Sequence, residues 1–169
     1  SLVESDMDYA PMSEGALTNG ATVREMAQAY TAFPNNGVMS YARTYTKVLD
    51  ASGNVILNNE AKTSTAFSPN TAANICDMLY NAVEGGGTGA GAAFPGMTIA
   101  GKTGTTGDNN DRYFVGFTPY YCAAVWCGYK SNVKLNVSGN PSGVLWREVM
   151  QEIHKELANT NFHECSTGL

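Results

Sequence analysis

The sequence predicts an α+β fold in which antiparallel sheet strands carry flanking helices. Three observations point there. The strand-like runs MTIAGKTGT, RYFVGFT and YCAAVWCGY follow one another between residues 97 and 129. Their connections, TGDNND and Pro119-Tyr120, are too short for crossover helices, so the runs pair as antiparallel neighbours. Segments with apolar residues at helical spacing lie before and after this block.

Taken in order, residues 1–20 show no period and many turn formers, and read as a loop or the ragged remainder of a missing element. Thr22-Val-Arg-Glu25 is a capping box, which opens a helix with Val23, Met26, Ala27, Tyr30 and Phe33 on one face. Pro34-Asn-Asn-Gly37 ends it. RTYTKVLD and NVILN alternate around Ala51-Ser-Gly53 and read as a hairpin. Ser68-Pro69 starts a second helix, with serine as cap and proline in the first turn. Ala72, Ile75, Cys76, Leu79 and Val83 share one side of it, up to the glycine run at 85–87. After the strands, residues 130–143 form a polar loop. Val144, Leu145, Val149, Ile153 and Leu157 then mark a terminal amphipathic helix, with Trp146 and Met150 widening its apolar side. Trp126 is expected in the core, and residues 160–169 read as a flexible tail.

Composition narrows the function classes. The net charge is -5 with no basic cluster, which argues against a nucleic-acid partner or an anionic membrane surface. No apolar run approaches the roughly 18 residues of a bilayer span, so no membrane contact is expected from this segment. The four cysteines, Cys76, Cys122, Cys127 and Cys165, lack zinc-ligand spacing and read as buried thiols. Cys122 and Cys127 point to opposite strand faces and cannot pair locally, while a disulfide at Cys76 or Cys165 has no support in the spacing. His154 and His163 are the only histidines, and a surface position is expected for both. Asp108 and Asp111 read as solvated turn residues.

One stretch carries chemistry in two incompatible spellings. GMTIAGKT, residues 96–103, matches the phosphate-loop pattern G-x-x-x-x-G-K-[ST]. That loop needs a buried strand before it and a helix N-terminus after it. Here AGAAFP precedes, Met-Thr-Ile-Ala favours extended structure, and GTTGDNND leads to another strand. The alternative spelling is Lys102-Thr-Gly104 on a sheet strand, a triplet that, with S-x-x-K and S-D-N, is a signature of penicillin-binding proteins and related β-lactamases. Its chemistry suits acyl transfer. An ammonium at a groove edge steadies a carboxylate, a glycine admits substrate to the backbone, and a free N–H beyond it can serve an oxyanion hole.

A lone triplet is weak, and the surrounding blocks strengthen it. TVREMAQAYTAFPNNG, TYTKVLDASGNVI, AFSPNTAANICDMLYNAVEGGGTGAGA and PGMTIAGKTGTTGDNNDRYFVGFTPYYCAAVWCGY occur in this order. From about residue 21 to 129 the chain closely resembles the C-terminal part of the transpeptidase domain of class A, bifunctional penicillin-binding proteins. The resemblance implies an incomplete penicillin-binding/serine β-lactamase-like transpeptidase fold, with residues 1–159 as the C-terminal portion of the D,D-transpeptidase domain. It implies acyl transfer through a serine ester, with no metal or organic cofactor. The implied partners are peptidoglycan stem peptides ending in D-Ala-D-Ala, β-lactam antibiotics and the missing N-terminal half of the domain. The implied location is the extracytoplasmic face of a bacterial membrane, where the parent protein is anchored. Carried over residue by residue, Lys102 becomes the groove lysine and Gly104 keeps the wall open. Thr103 and Thr105 offer hydroxyls to the substrate carboxylate, and the Thr105 N–H is an oxyanion donor. Thr106 is a further substrate contact.

The pattern breaks upstream. The family acylates a serine in S-x-x-K, aided by S-x-N, and neither precedes Lys102 in a catalytic setting. Ser68-Pro-Asn70 reads as a helix cap, and Ser131-Asn-Val-Lys134 and Ser138-Gly-Asn140 follow the triplet in a polar loop. The chain is therefore expected to hold only part of the chemistry, to be inactive alone, and to show an exposed apolar patch on its strands, a swapped dimer or a companion polypeptide. Gly85 to Gly91 with Thr88 reads either as a groove entrance or as a flexible helix end. A non-catalytic β-lactam or cell-wall sensor of the same fold is the competing class. A β-lactamase relative fits the flanking blocks less well.

Overall fold

The computed structural model describes residues 2–15, 17–84 and 86–164. A 3-10 turn at Glu4–Met7 and a short helix α1 (Tyr9–Glu14) occupy the N-terminal segment expected to be a loop. The Asp6 carboxylate organises this segment, accepting from the Thr18 N–H at 2.6 Å and the Val3 N–H at 2.9 Å. Helix α2 (Val23–Tyr30) begins at the capping box: the Thr22 hydroxyl accepts from Glu25 N at 3.2 Å, and the Glu25 carboxylate accepts from Thr22 N at 2.8 Å.

Two small antiparallel ribbons follow. Strand β1 (Val38–Ser40) pairs with β4 (Thr63–Thr65), enclosing the hairpin β2 (Lys47–Leu49) and β3 (Val55–Asn58). The Asp50 carboxylate ties the hairpin turn by accepting from Ser52 N and Asn54 N, both at 2.8 Å. Helix α3 (Pro69–Glu84) starts where Ser68 Oγ accepts from Thr71 N. A 3-10 turn at Ala90–Ala92 then leads to β5 (Ala100–Thr105), β6 (Asp111–Phe117) and β7 (Cys122–Gly128). These three strands form one antiparallel sheet in the order β5-β6-β7, in the sequence predicted. Helix α4 (Pro141–Ile153) closes the chain's regular structure, capped by Asn140, whose Oδ1 accepts from Ser142 N and Gly143 N.

Register decides which side chains share a face. Ala100, Lys102 and Gly104 stand with Tyr113, Val115 and Phe117 and with Cys122 and Trp126. On that face Tyr113 Oη donates to Ala21 O and Cys122 Sγ to Ala27 O, seating the α2 segment. The cluster there joins Cys76, Ala100 and Phe117 with Tyr30, Phe33 and Phe162. The opposite face carries Phe114, which meets Trp146 of α4 edge-on at 5.2 Å within a cluster of Val83, Phe94, Ile99 and Met150. Trp146 Nε1 donates to Ala123 O and Ser142 Oγ to Arg112 O, so α4 is hydrogen-bonded to the sheet as well as packed on it. Helix α3 reaches both clusters, through Cys76 on one side and Val83 on the other.

Several expectations are corrected. Helix α4 turns Ser142, Gly143, Trp146, Met150 and His154 inward, whereas Val144, Leu145, Val149 and Ile153 lie outside, each 43% exposed or more. Ser142 and Gly143 permit close approach to the sheet, and Trp146 and Met150 fill the core cluster beside them. His154 is buried, 4% exposed, not on the surface. Its Nδ1 lies 2.6 Å from Met150 O and its Nε2 lies 2.8 Å from Thr118 Oγ1. Trp126 is 40% exposed rather than core, because its ring lies at the uncovered end of the α2 face, where Nε1 donates to Asp111 Oδ1. Asp111 is accordingly a partner within the sheet and more than a solvated turn residue. Exposed apolar surface is found on the N-terminal segment, on α4 and on the β2–β3 hairpin, whereas within the β5–β7 strands Trp126 is the one exposed large apolar residue among the described residues.

Residues 160–164 lack regular structure, yet Phe162 meets Phe117 edge-on at 5.2 Å. Cys76, Cys122 and Cys127 are free thiols, and Cys165 lies outside the described residues. Among the described residues no helix is long and apolar enough to cross a membrane.

Candidate active site

Lys102, Thr103, Gly104 and Thr105 are the last four residues of β5, an edge strand of the sheet. Burial falls along this strand, from fully buried Ala100 and Gly101 to exposed Lys102 and Thr105. The edge is therefore closed at its start and open at the triplet.

Two hydrogen bonds fix which backbone groups face outward. Thr106 N donates to Asp111 O at the β5–β6 turn, and Thr118 N donates to Tyr121 O at the β6–β7 turn. In an antiparallel ladder, hydrogen-bonded pairs alternate with non-bonded ones. Counting back from the 106/111 pair, Gly104 and Lys102 direct their N–H and C=O toward β6, while Thr103 and Thr105 direct theirs away from the sheet. The Lys102 ammonium agrees with this count: Nζ donates to Thr103 O at 2.9 Å, curling from its own face round to the open edge.

The side chains divide between two grooves that meet at this edge. Thr103 and Thr105 share the α4 face, where a groove of about 660 Å³ is lined by Thr88, Gly89, Thr103, Gly139 and Leu145, among others. A smaller groove of about 280 Å³ on the α2 face is lined by Leu17, Met26, Gly104 and Tyr113, with Thr103 on its rim. A methyl group on Gly104 would come within 3.1 Å of Tyr113 Cβ, so glycine keeps this wall open. Burial, reinforced by Asp111 and Glu25, pushes the Tyr113 phenol above its usual range, so it stays neutral beside the groove.

The structure brings Lys102, Thr103, Gly104 and Thr105 together at one edge. Thr106 serves the turn instead: its Oγ1 accepts from Asn110 N and Asp111 N, both at 3.0 Å, leaving only its hydroxyl hydrogen for other partners. Sequence reasoning left Thr88 undecided, and the structure sets its Oγ1 2.8 Å from Thr103 Oγ1. Ser138 and Asn140 line the larger groove, but Asn140 is committed as the α4 cap and donates its Nδ2 to Tyr113 O. Ser68 is likewise a cap.

Comparison with known proteins gives the chain a family. The family model described as "Penicillin binding protein transpeptidase domain" matches residues 5–145. The chain belongs to the penicillin-binding protein transpeptidase family. Within that family, penicillin-binding protein 1A of Clostridium acetobutylicum is 41% identical over 152 residues, covering 90% of this chain. Penicillin-binding protein 4 of Bacillus subtilis is 36% identical over 152 residues, covering 89%. Among solved structures, the D,D-transpeptidase domain of a peptidoglycan glycosyltransferase from Eggerthella lenta aligns with TM-score 0.68 at 30% identity, covering 80% of this chain and 32% of that one. Penicillin-binding protein 1A from Haemophilus influenzae shares the fold, with TM-score 0.74 at 19% identity over 86% of this chain. This transpeptidase-family chain spans 18% of the length of the Clostridium acetobutylicum relative and 24% of the Bacillus subtilis one. Its mixed helices and antiparallel strands fit an incomplete version of the family's fold, as the sequence predicted.

Proposed function

We propose that this chain forms the strand wall of the active site in a serine-type D,D-transpeptidase that cross-links peptidoglycan stem peptides and binds β-lactams. The observation that carries the reading is the open edge at Thr103 and Thr105, with the Lys102 ammonium beside it. An extended peptide ending in D-Ala-D-Ala can add to this edge by main-chain hydrogen bonds, its carboxylate meeting Lys102, the Thr105 hydroxyl and the hydroxyl pair that Thr103 makes with Thr88. The nucleophilic serine then belongs to sequence upstream of this chain. Its oxygen bonds to the penultimate D-Ala carbonyl carbon, and the C–N bond to the terminal D-Ala breaks as that residue leaves carrying a proton. An acceptor amine next attacks the serine ester, releasing the serine and forming the cross-link. During both steps the Thr105 N–H donates to the developing oxyanion.

The same reading accounts for the unpaired surfaces. The outer edge of β7 and the apolar stripe Val144, Leu145, Val149 and Ile153 are to be covered by the upstream half of the domain. The whole protein is placed at the extracytoplasmic face of a bacterial membrane, requires no cofactor, and this chain alone does not acylate.

Intact-mass detection of covalent penicillin adducts tests the proposal. It is run on this chain and on the chain extended upstream by its native coding sequence. Adduct on the extended chain alone is expected. Adduct on the short chain would make a local serine, Ser131 first, the nucleophile. Adduct on neither would favour a non-catalytic module of the same fold.

A further inference from the structure

We infer that Thr88 is an additional hydroxyl of the carboxylate-binding site, presented by a glycine turn built for that purpose; this rests on the transpeptidase reading above. Thr103 Oγ1 donates to Thr88 Oγ1 at 2.8 Å. A threonine hydroxyl has one hydrogen. In this arrangement the Thr103 hydrogen is spent on Thr88, and the hydrogen left over for an incoming anion is the one on Thr88. Thr103 and Thr105 share the face on which Thr88 sits, and the Lys102 ammonium lies on the Thr103 carbonyl at the same edge. A carboxylate arriving in the groove that Thr88 and Thr103 line meets Thr88 as a ready donor.

The turn that presents Thr88 is fixed by its neighbours. Gly89 N donates to Ala82 O at 2.9 Å, anchoring the turn to the last part of α3. A methyl group on Gly87 would lie 2.5 Å from Ala82 O, and one on Gly89 would lie 3.0 Å from it and 3.1 Å from Val83 Cγ2. Gly87 is thus needed for the backbone to pass this close to α3, and a side chain at Gly89 would crowd the same contact. The one side chain between them is directed at Thr103. On this inference Gly87 and Gly89 shape the groove at Thr88, the first of the two readings the sequence leaves open.

The test compares acylation of the upstream-extended chain by benzylpenicillin and by its methyl ester, which has the same ring but no carboxylate. A defect in folding or in the nucleophile lowers both rates together. Loss of a carboxylate donor lowers only the first. For Thr88→Val, the acid-to-ester rate ratio is expected to fall about tenfold, the size of one hydrogen bond to a charged group. Thr88→Ser, which keeps the hydroxyl, is expected to hold the ratio near wild type. An unchanged ratio in Thr88→Val would overturn the inference while leaving the transpeptidase reading intact. An extended wild-type chain that fails to acylate with either ligand would overturn both.

Discussion

Replacing Thr105 with proline isolates a single backbone N–H. The ladder count from the Thr106–Asp111 hydrogen bond directs the Thr105 N–H away from β6, so proline at 105 deletes no bond within the sheet. An edge strand tolerates such a proline, and the residue before it is already extended. Proline at 104 does the opposite: it removes an inward N–H opposite Tyr113 and costs about 2–3 kcal/mol in ladder bonding and strain. For catalysis the order reverses. Loss of one oxyanion donor costs roughly 10²–10³-fold in rate. Thr105→Pro in the upstream-extended chain should therefore slow penicillin acylation by about that factor with a thermal midpoint near wild type, while Gly104→Pro should lower the midpoint sharply. Thr105→Val controls for the side chain, since it keeps the N–H and loses the hydroxyl. Stopped-flow acylation and calorimetry read the two effects. A Thr105→Pro variant that acylates at the wild-type rate, or melts as early as Gly104→Pro, would refute the assigned direction of this N–H.

Other expectations follow from groups away from the edge. Thr118 Oγ1 accepts from Tyr120 N and Tyr121 N, so its hydrogen goes to His154 Nε2, and Nδ1 carries the ring proton to Met150 O. Thr118→Val should cost about 2 kcal/mol in urea unfolding, and a double-mutant cycle with His154→Leu should give a coupling above ~0.5 kcal/mol; an additive cycle would mean that the pair does not interact. Burial pushes the Cys76 and Cys122 thiols up to about 12, with Asp77 adding to the effect at Cys76. Both should resist iodoacetamide at pH 8 in the folded chain and react after denaturation, as read by peptide mass. Hydrogen bonds from Thr18 and then Val3 hold the Asp6 carboxyl below its ordinary 3.8. The folded value lies below the unfolded one, so the cap is fully present above pH 3.8 and is lost as pH falls through the folded value. Amide exchange at Val3 and Thr18 should accelerate only in that acid range, and loss of protection near neutrality would exclude Asp6 as the cause.

The legible parts of this sequence were those governed by local chemistry. Thr22 and Glu25 announced a capping box because both halves of the motif lie within one turn, and Ser68 announced a cap for the same reason. The β5–β6–β7 order was legible because its connections leave no room for a crossover. The β1–β4 ribbon was not: each strand has three residues, and the partners are separated by a hairpin that pairs with itself. Helix α4 was assigned correctly as a helix and wrongly in orientation. It has two apolar stripes, and periodicity cannot say which one meets a sheet and which awaits a partner. His154 was misplaced because its burial depends on Thr118, 36 residues away, and on the tyrosines after it. At the edge, residue types suggested Lys102, Thr103, Gly104 and Thr105, but the outward direction of their backbone groups came only from register.

The Lys102–Thr103 bond bears on what the edge refuses. A bare strand edge in a crowded compartment would stick to any stray extended chain, including a second copy of itself. Here the lysine occupies one lone pair of the Thr103 carbonyl, and a newcomer at this edge meets an ammonium beside that acceptor. A neutral peptide offers that ammonium nothing comparable in return. A chain ending in a carboxylate does, since its own negative charge gives the displaced lysine a new resting place. On the transpeptidase reading, this arrangement would favour chain termini over the interiors of other polypeptides.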